Sequence, residues 1–134
     1  MVEAGQELPE LARVVTAADV SAYADAGGDQ NPLHADDAFA RSVGFPGIIA
    51  HGMFTMGHMA AAVTAWAGDT AEILRITAQF REPVFMGERI VAGGRVKEVD
   101  QTAGTATLET WVRLERDGEI RWPIRKGSAI VRFA

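Results

Sequence analysis

The 134-residue sequence contains no cysteine, which excludes disulfide cross-links, thiolate metal sites and cysteine nucleophiles together. Aromatic residues make up only 7%, with a single tyrosine, and this argues against a surface built to stack nucleic-acid bases. Positive charge is also in short supply. The 13 Lys and Arg against 18 Asp and Glu give a formal net charge of −5, the wrong sign for a phosphate backbone. No nucleic-acid partner is expected, although a few local Arg and Lys can still hold a small anionic ligand in an acidic protein. Long apolar runs are missing too. The richest stretch, Ile48 to Ala67, is interrupted by His51, Gly52, Gly57 and His58, so it does not supply the roughly 20 apolar residues that span a bilayer. Met1 to Leu11 lacks the basic-then-apolar order of a signal peptide, and a cytoplasmic location without membrane association is the expectation.

What is present is ordinary for a globular domain: 48% hydrophobic and 23% charged residues, in a chain long enough to bury one core. Without repeats, low-complexity tracts or a linker, residues 1–134 read as a single domain. Thr16-Ala17-Ala18-Asp19 opens a helix as a capping box with Asp in the place of Glu or Gln. That helix is predicted to run to about Asp25 and to stop at Gly27-Gly28. Asp29 to His34 is predicted as a loop, because Pro32 pushes Asn31 out of the α region. A short helix is predicted over Asp36 to Val43, ended by Gly44. The longest helix is placed at Ala50 to Trp66, with small and apolar residues on nearly every side, as suits a helix enclosed by other structure.

Beyond Gly68-Asp69 the pattern changes to period two. Ile73–Phe80, Arg89–Val99, Thr105–Glu115 and Ile124–Phe133 read as strands, separated by turn signals at Pro83 and Met86-Gly87, Asp100 to Gly104, and Asp117-Gly118. Helices followed by strands with short connections imply α+β with an antiparallel sheet. A long apolar helix lying on a strongly curved sheet is the simplest way to bury both.

Two clusters carry chemistry. Asp29 and His34 lie five residues apart with Pro32 stiffening the chain between them. A carboxylate and an imidazole facing one small volume form a general acid/base pair near neutral pH, and Asn31 offers a donor and an acceptor to orient either of them. Spacing alone leaves open the simpler account, in which Asp29 and Asn31 form Asx turns and His34 is incidental. The second cluster is Ala50-His51-Gly52-Met53. If the long helix starts here, the Gly52 N–H is one of its first unpaired amides, with the positive end of the helix dipole behind it. Such an amide can receive a developing oxyanion or enolate. Small residues at a helix start also serve close packing alone.

Taken together, Tyr23, Gly27-Gly28-Asp29-Gln30-Asn31-Pro32-Leu33-His34, Ala38, Ala40 and Ile49-Ala50-His51-Gly52-Met53 resemble the signature of the MaoC-like (R)-specific enoyl-thioester hydratases. Ala50 to Gly57 and Val63 to Asp69 are also similar to the β subunit of actinobacterial (3R)-hydroxyacyl-ACP dehydratases. The motif matches cover about residues 16 to 69. The resemblance implies a hot-dog fold, a long central helix wrapped by a curved antiparallel sheet. It also implies reversible hydration of trans-2-enoyl thioesters of CoA or acyl-carrier protein. In that chemistry Asp29 and His34 are the catalytic pair holding the water, the Gly52 N–H binds the thioester carbonyl, and Asn31 and His51 support them. No cofactor is implied. A homodimer is the default expectation; a heterodimer with a partner hot-dog subunit, in which this chain is the catalytic member, stays open. A hot-dog thioesterase is the nearest enzymatic rival, but it needs a carboxylate directing water at the carbonyl, which the Asp-x-Asn-Pro-x-His loop is not.

Other residues have plainer readings. His51 and His58 share a spacing of seven but lack close ligand spacing, so no metal is expected. Met53, Met56 and Met59 read as core or acyl-tunnel lining, and Trp66, Trp111 and Trp122 as packing or interface residues. Arg81, Arg89, Arg125 and Lys126 could bind carrier phosphates, with solvated strand faces as the general account for most of them.

Overall fold

A computed structural model describes residues 2–134. Strand β1 (Leu11–Val14) is followed by helices α1 (Ala17–Gly27), α2 (Asp37–Ser42) and α3 (Gly52–Ala67). Strands β2 (Glu72–Thr77), β3 (Arg89–Asp100), β4 (Thr105–Arg116) and β5 (Glu119–Arg132) complete the chain. The strands form one antiparallel sheet in the order β1-β3-β4-β5-β2. The sheet curls round α3, which is the hot-dog arrangement.

The capping box at α1 is present in full: Asp19 N–H donates to Thr16 Oγ1 at 3.1 Å and Thr16 N–H donates to Asp19 Oδ2 at 3.1 Å. Gly28 closes the helix with φ +73°, a conformation that L side chains resist. Asp36 caps α2 through Phe39 N–H. Helix α3 starts at Gly52, with His51 as N-cap, so the predicted Ala50 start is two residues early.

The core lies between α3 and the inward residues of the long strands. Met59 and Val63 are fully buried against Ile90, Val112 and Ile124 at one end and Leu108 and Val131 at the other. Each such side chain contributes about 1.5–3 kcal/mol relative to exposure. Helix and sheet approach closely at Gly127, where an added Cβ would meet Thr110 Oγ1 at 2.6 Å and Met59 Sδ at 2.9 Å. Helix α3 is not enclosed on all sides, contrary to the expectation from its composition. Met53, Gly57, Ala61, Thr64 and Ala65 remain exposed, because the sheet curls round one side of the helix only.

Three further differences have local causes. The edge strand β1 has only four residues, three of them exposed, too short to register as alternation. Strand β2 ends at Thr77, and Phe80 is joined to β5 only by a bridge to Ile124. Strand β5 begins at Glu119, five residues before its predicted start, and absorbs Pro123 by bulging. Its register with β4 slips by one residue between Arg121 and Ile124, and by another between Ile124 and Gly127.

A partly buried ion pair fixes the segment before β3. Arg116 reaches Glu88 in a two-pronged contact, Nε to Oε2 at 2.8 Å and Nη2 to Oε1 at 2.7 Å. It also donates to the Pro83 carbonyl at 3.0 Å and lies 4.1 Å from the Phe85 ring centroid. His58 Nε2–H donates to the Leu11 carbonyl at 2.8 Å and ties α3 to β1. Burial holds the His58 imidazole below its ordinary pKa, because removal from water disfavours the charged ring.

Candidate active site

The loop after α1 carries Asp29, Asn31 and His34. Asp29 Oδ1 accepts from the Asn31 N–H at 3.2 Å and Asn31 Oδ1 from the Leu33 N–H at 3.0 Å. Both Asx turns therefore exist, and they set the chain into a single 3-10 turn at Pro32–His34, where the sequence predicts an irregular loop. The turn chemistry does not consume the acid/base groups. Asp29 is exposed and its second carboxylate oxygen accepts no hydrogen bond among the described residues.

Backbone bonds carry this loop to the start of α3. The Ile49 N–H donates to Leu33 O at 3.0 Å and the Ala50 N–H to Val84 O at 2.9 Å. His34 Nδ1 lies 2.7 Å from the Ile49 carbonyl. A carbonyl only accepts, so Nδ1 holds the hydrogen, and in the neutral ring Nε2 is left as a free lone pair. His51 is buried and its Nε2–H donates to the Asp29 carbonyl at 3.1 Å. Its ring stacks on that of His34, with centroids 3.8 Å apart and planes at 24°, and the Tyr23 ring lies 4.8 Å from it, tilted by 53°. His51 thus touches both members of the pair, Asp29 through the backbone and His34 through its ring face.

One ligating atom from each of Asp29, His34 and His51 lies within 4.8 Å of the others. Two hydrogen bonds of about 2.8 Å to one water reach across up to about 5 Å, so the carboxylate and an imidazole are close enough to bond to the same water. A shared cation fits poorly. Imidazole lone pairs lie in the ring plane, and two nearly parallel stacked rings have no common in-plane point within bonding reach of both nitrogens.

Gly52 is the first residue of α3, and its N–H donates to no acceptor among the described residues. It lines a cleft of about 330 Å³ together with His34, Thr55, Phe80, Glu82 and Pro123. The structure therefore brings Asp29, His34, Asn31, His51 and Gly52 into one neighbourhood. His34 and Gly52 form cleft wall, while Asp29, Asn31 and His51 stand beside or behind it. His58 belongs elsewhere, bonded to β1.

Three cleft residues escape a linear reading. Thr55, one turn into α3, presents a buried side chain to the cleft. Phe80 lays its ring flat over Gly52: an added Cβ there would lie 3.0–3.1 Å from three ring carbons. Glu82 brings a carboxylate into the cleft wall itself, but Arg121 at 3.3 Å and Arg116 at 3.9 Å hold it as an ion-pair partner. No sequence signal marks these three, because α3 and the segment after β2 meet at the cleft only once the chain has folded.

The MaoC like domain matches residues 3–117. The chain belongs to the MaoC-like domain family. Among MaoC-like relatives, the (R)-specific enoyl-CoA hydratase of Aeromonas caviae is 33% identical over 110 residues, which is 81% of each chain. The 3-hydroxyacyl-thioester dehydratases X and Y of Mycobacterium tuberculosis are 39% and 38% identical over 60% and 71% of this chain. This MaoC-like chain spans only 28% and 36% of the length of those two relatives. The solved structure of the Aeromonas caviae (R)-hydratase superposes with a TM-score of 0.85 at 30% identity, covering 99% of this chain and 98% of that one. An unliganded R-hydratase of Pseudomonas aeruginosa gives 0.88 at 28% identity, over 98% and 82%.

Proposed function

We propose that this protein is a hydro-lyase that adds water reversibly to trans-2-enoyl thioesters, giving (3R)-3-hydroxyacyl thioesters. The observation that carries the proposal is the Asp29 carboxylate and a His34 ring nitrogen within 4.8 Å of each other, with His34 and the free Gly52 N–H in the wall of one cleft. The names of the hydratase and dehydratase relatives support the same reaction class.

In the proposed hydration, the thioester carbonyl accepts from the Gly52 N–H, which stabilises the enolate that forms. Asp29 takes a proton from the water held between it and His34. The hydroxyl adds at the β-carbon, and the α-carbon receives a proton, most simply from Nε2 of His34 in its protonated form; the proton held by Asp29 then passes to His34, which restores both groups. Dehydration is the reverse path. Asn31 fixes the turn and His51 supports the His34 ring, so both act as positioning residues. No cofactor enters this scheme.

The edge of the sheet suggests the assembly. Strand β2 has one unpaired edge and an exposed Leu74 at 45%, the kind of edge that proteins cover by association. A dimer of two copies is the reading adopted, and pairing with a second hot-dog subunit is the alternative that mass measurement in solution separates. No helix among the described residues is long and apolar enough to cross a membrane, and a cytoplasmic location remains part of the proposal.

The test is incubation with trans-2-butenoyl-CoA, following loss of the conjugated double bond, release of free thiol and the configuration of the product. The expected result is a (3R)-hydroxy thioester without thiol release. Thiol release without hydration would make the protein a thioesterase instead.

A further inference from the structure

A second cleft adjoins the first. It has a volume of about 590 Å³ and shares Arg81 and Glu82 with the cleft of His34 and Gly52. Its remaining walls come from the bulged stretch of β5, Glu119 to Lys126. In a regular strand alternate side chains leave by opposite faces. The two register slips on either side of Ile124 break that alternation, so Trp122, Arg125 and Lys126 all reach the same cleft. Bulges commonly re-aim side chains beside active sites in this way.

The charges of this cleft are unevenly committed. Arg121 is neutralised by Glu82 at 3.3 Å and Glu119 at 3.4 Å. Arg81 is bonded to a neutral partner, Gln79 Oε1, at 2.8 Å. Arg125 lies 5.7 Å from the Trp122 ring centroid and has no carboxylate partner among the described residues, nor does Lys126. A protein of net charge −5 thus collects three unneutralised cations and an indole ring, with Arg125 over it, in the cleft that adjoins that of His34 and Gly52.

Resting on the hydratase reading, we propose that this second cleft binds the phosphorylated adenosine of coenzyme A, which makes CoA the acyl carrier rather than a carrier protein. Three free cations match a ligand with several phosphate charges, and an indole offers a flat surface for a purine to stack on. A carrier protein's prosthetic arm brings one phosphodiester and no base, and leaves the indole unused. The shared wall at Arg81 lets one molecule run from the nucleotide cleft to the Gly52 amide.

The experiment compares wild type with an Arg125→Ala/Lys126→Ala double variant on the same trans-2-butenoyl group carried by CoA, by pantetheine alone and by a carrier protein. Both side chains are exposed, so the variant keeps its core. The ratio of kcat/KM between the CoA and pantetheine thioesters is expected to fall about tenfold or more, through KM and less steeply at high salt. Free adenosine 3′,5′-bisphosphate is expected to compete with the CoA substrate on the wild type and to lose that competition in the variant. An unchanged ratio overturns the proposal, and so does a loss confined to the carrier-protein substrate. If the wild type hydrates none of the three thioesters, the hydratase reading fails. Calorimetry with adenosine 3′,5′-bisphosphate then still decides the cleft: binding weakened by the double variant supports it, and no binding overturns it.

Discussion

Two aspartates in this fold do the same local job with different company. Asp29 Oδ1 accepts the Asn31 N–H, and Asp100 Oδ1 accepts the N–H groups of Thr102 and Ala103 at 3.0 Å each. Both residues are exposed and both organise a turn. At Asp100 nothing else gathers, and the turn joins β3 to β4. At Asp29 the fold adds His34 from five residues on and His51 from twenty-two residues on, with the Gly52 amide next to it. Turn chemistry is a property of the local chain; a reactive site needs partners that only tertiary structure delivers.

The largest test of that contrast is a matched pair of substitutions. Asn keeps a side-chain oxygen that accepts the turn hydrogen bond but cannot take a proton. Asp29→Asn is therefore expected to lower kcat by about 100-fold or more with little change in Tm, and His34→Ala to do likewise. Asp100→Asn is expected to leave kinetics unaltered. Hydration assays and melting curves on the three variants decide it, and similar activity in the two Asp→Asn variants would erase the distinction.

Next in size is the pair formed by Gly52 and Phe80. The Cβ of Gly52→Ala would lie 3.0–3.1 Å from the Phe80 ring, so ring or amide must shift, and kcat/KM is expected to fall by up to about 100-fold. If the ring is the obstacle, Gly52→Ala/Phe80→Ala recovers much of the loss. Absence of recovery would mean that the methyl group obstructs the substrate itself.

A smaller effect is expected at Arg116. The segment beside the site is held by its long-range contacts to Glu88 and Pro83, whereas the Asp100 turn is held locally. Arg116→Ala removes charge-assisted bonds that are only partly exposed and is expected to cost about 2 kcal/mol, read by denaturant unfolding. Asp100→Ala, with an exposed turn, should cost less.

The smallest effect concerns acid. His58 is held below its ordinary pKa of 6.5 by burial, so the unfolded chain takes up the proton first. Stability is full above that value and falls as pH drops through the ordinary histidine range toward the lower folded value. His58→Gln should flatten this slope. An unaltered slope would place the acid response elsewhere.

Much of the fold can be read from local signals. Thr16 and Asp19 announce α1, Gly28 its end, and period-two alternation all of β3 and β4. The signals fail where local rules yield to distant partners. Pro123 argues against a strand, yet β5 runs through it because a bulge leaves the proline without a ladder bond to make. Asp29, His34 and Gly52 were recognisable as a motif with a chemical rationale. The stacking of His51 on His34, the placement of Phe80 over Gly52 and the committed state of Glu82 were not, because each depends on segments that meet only after folding.

The two bulges of β5 have a consequence for phase. Gly127, Ala129 and Val131 point inward at odd positions, Ile124 at an even one, and Arg121 lies opposite the buried Leu114 at an odd one again. Each bulge shifts the strand's parity once, and two shifts cancel. The middle of β5 can thus send unrelated side chains into a cleft while both ends stay in step with β4. Loss of a single residue between Arg121 and Gly127 would leave one shift uncancelled and put half the strand out of step with its core face.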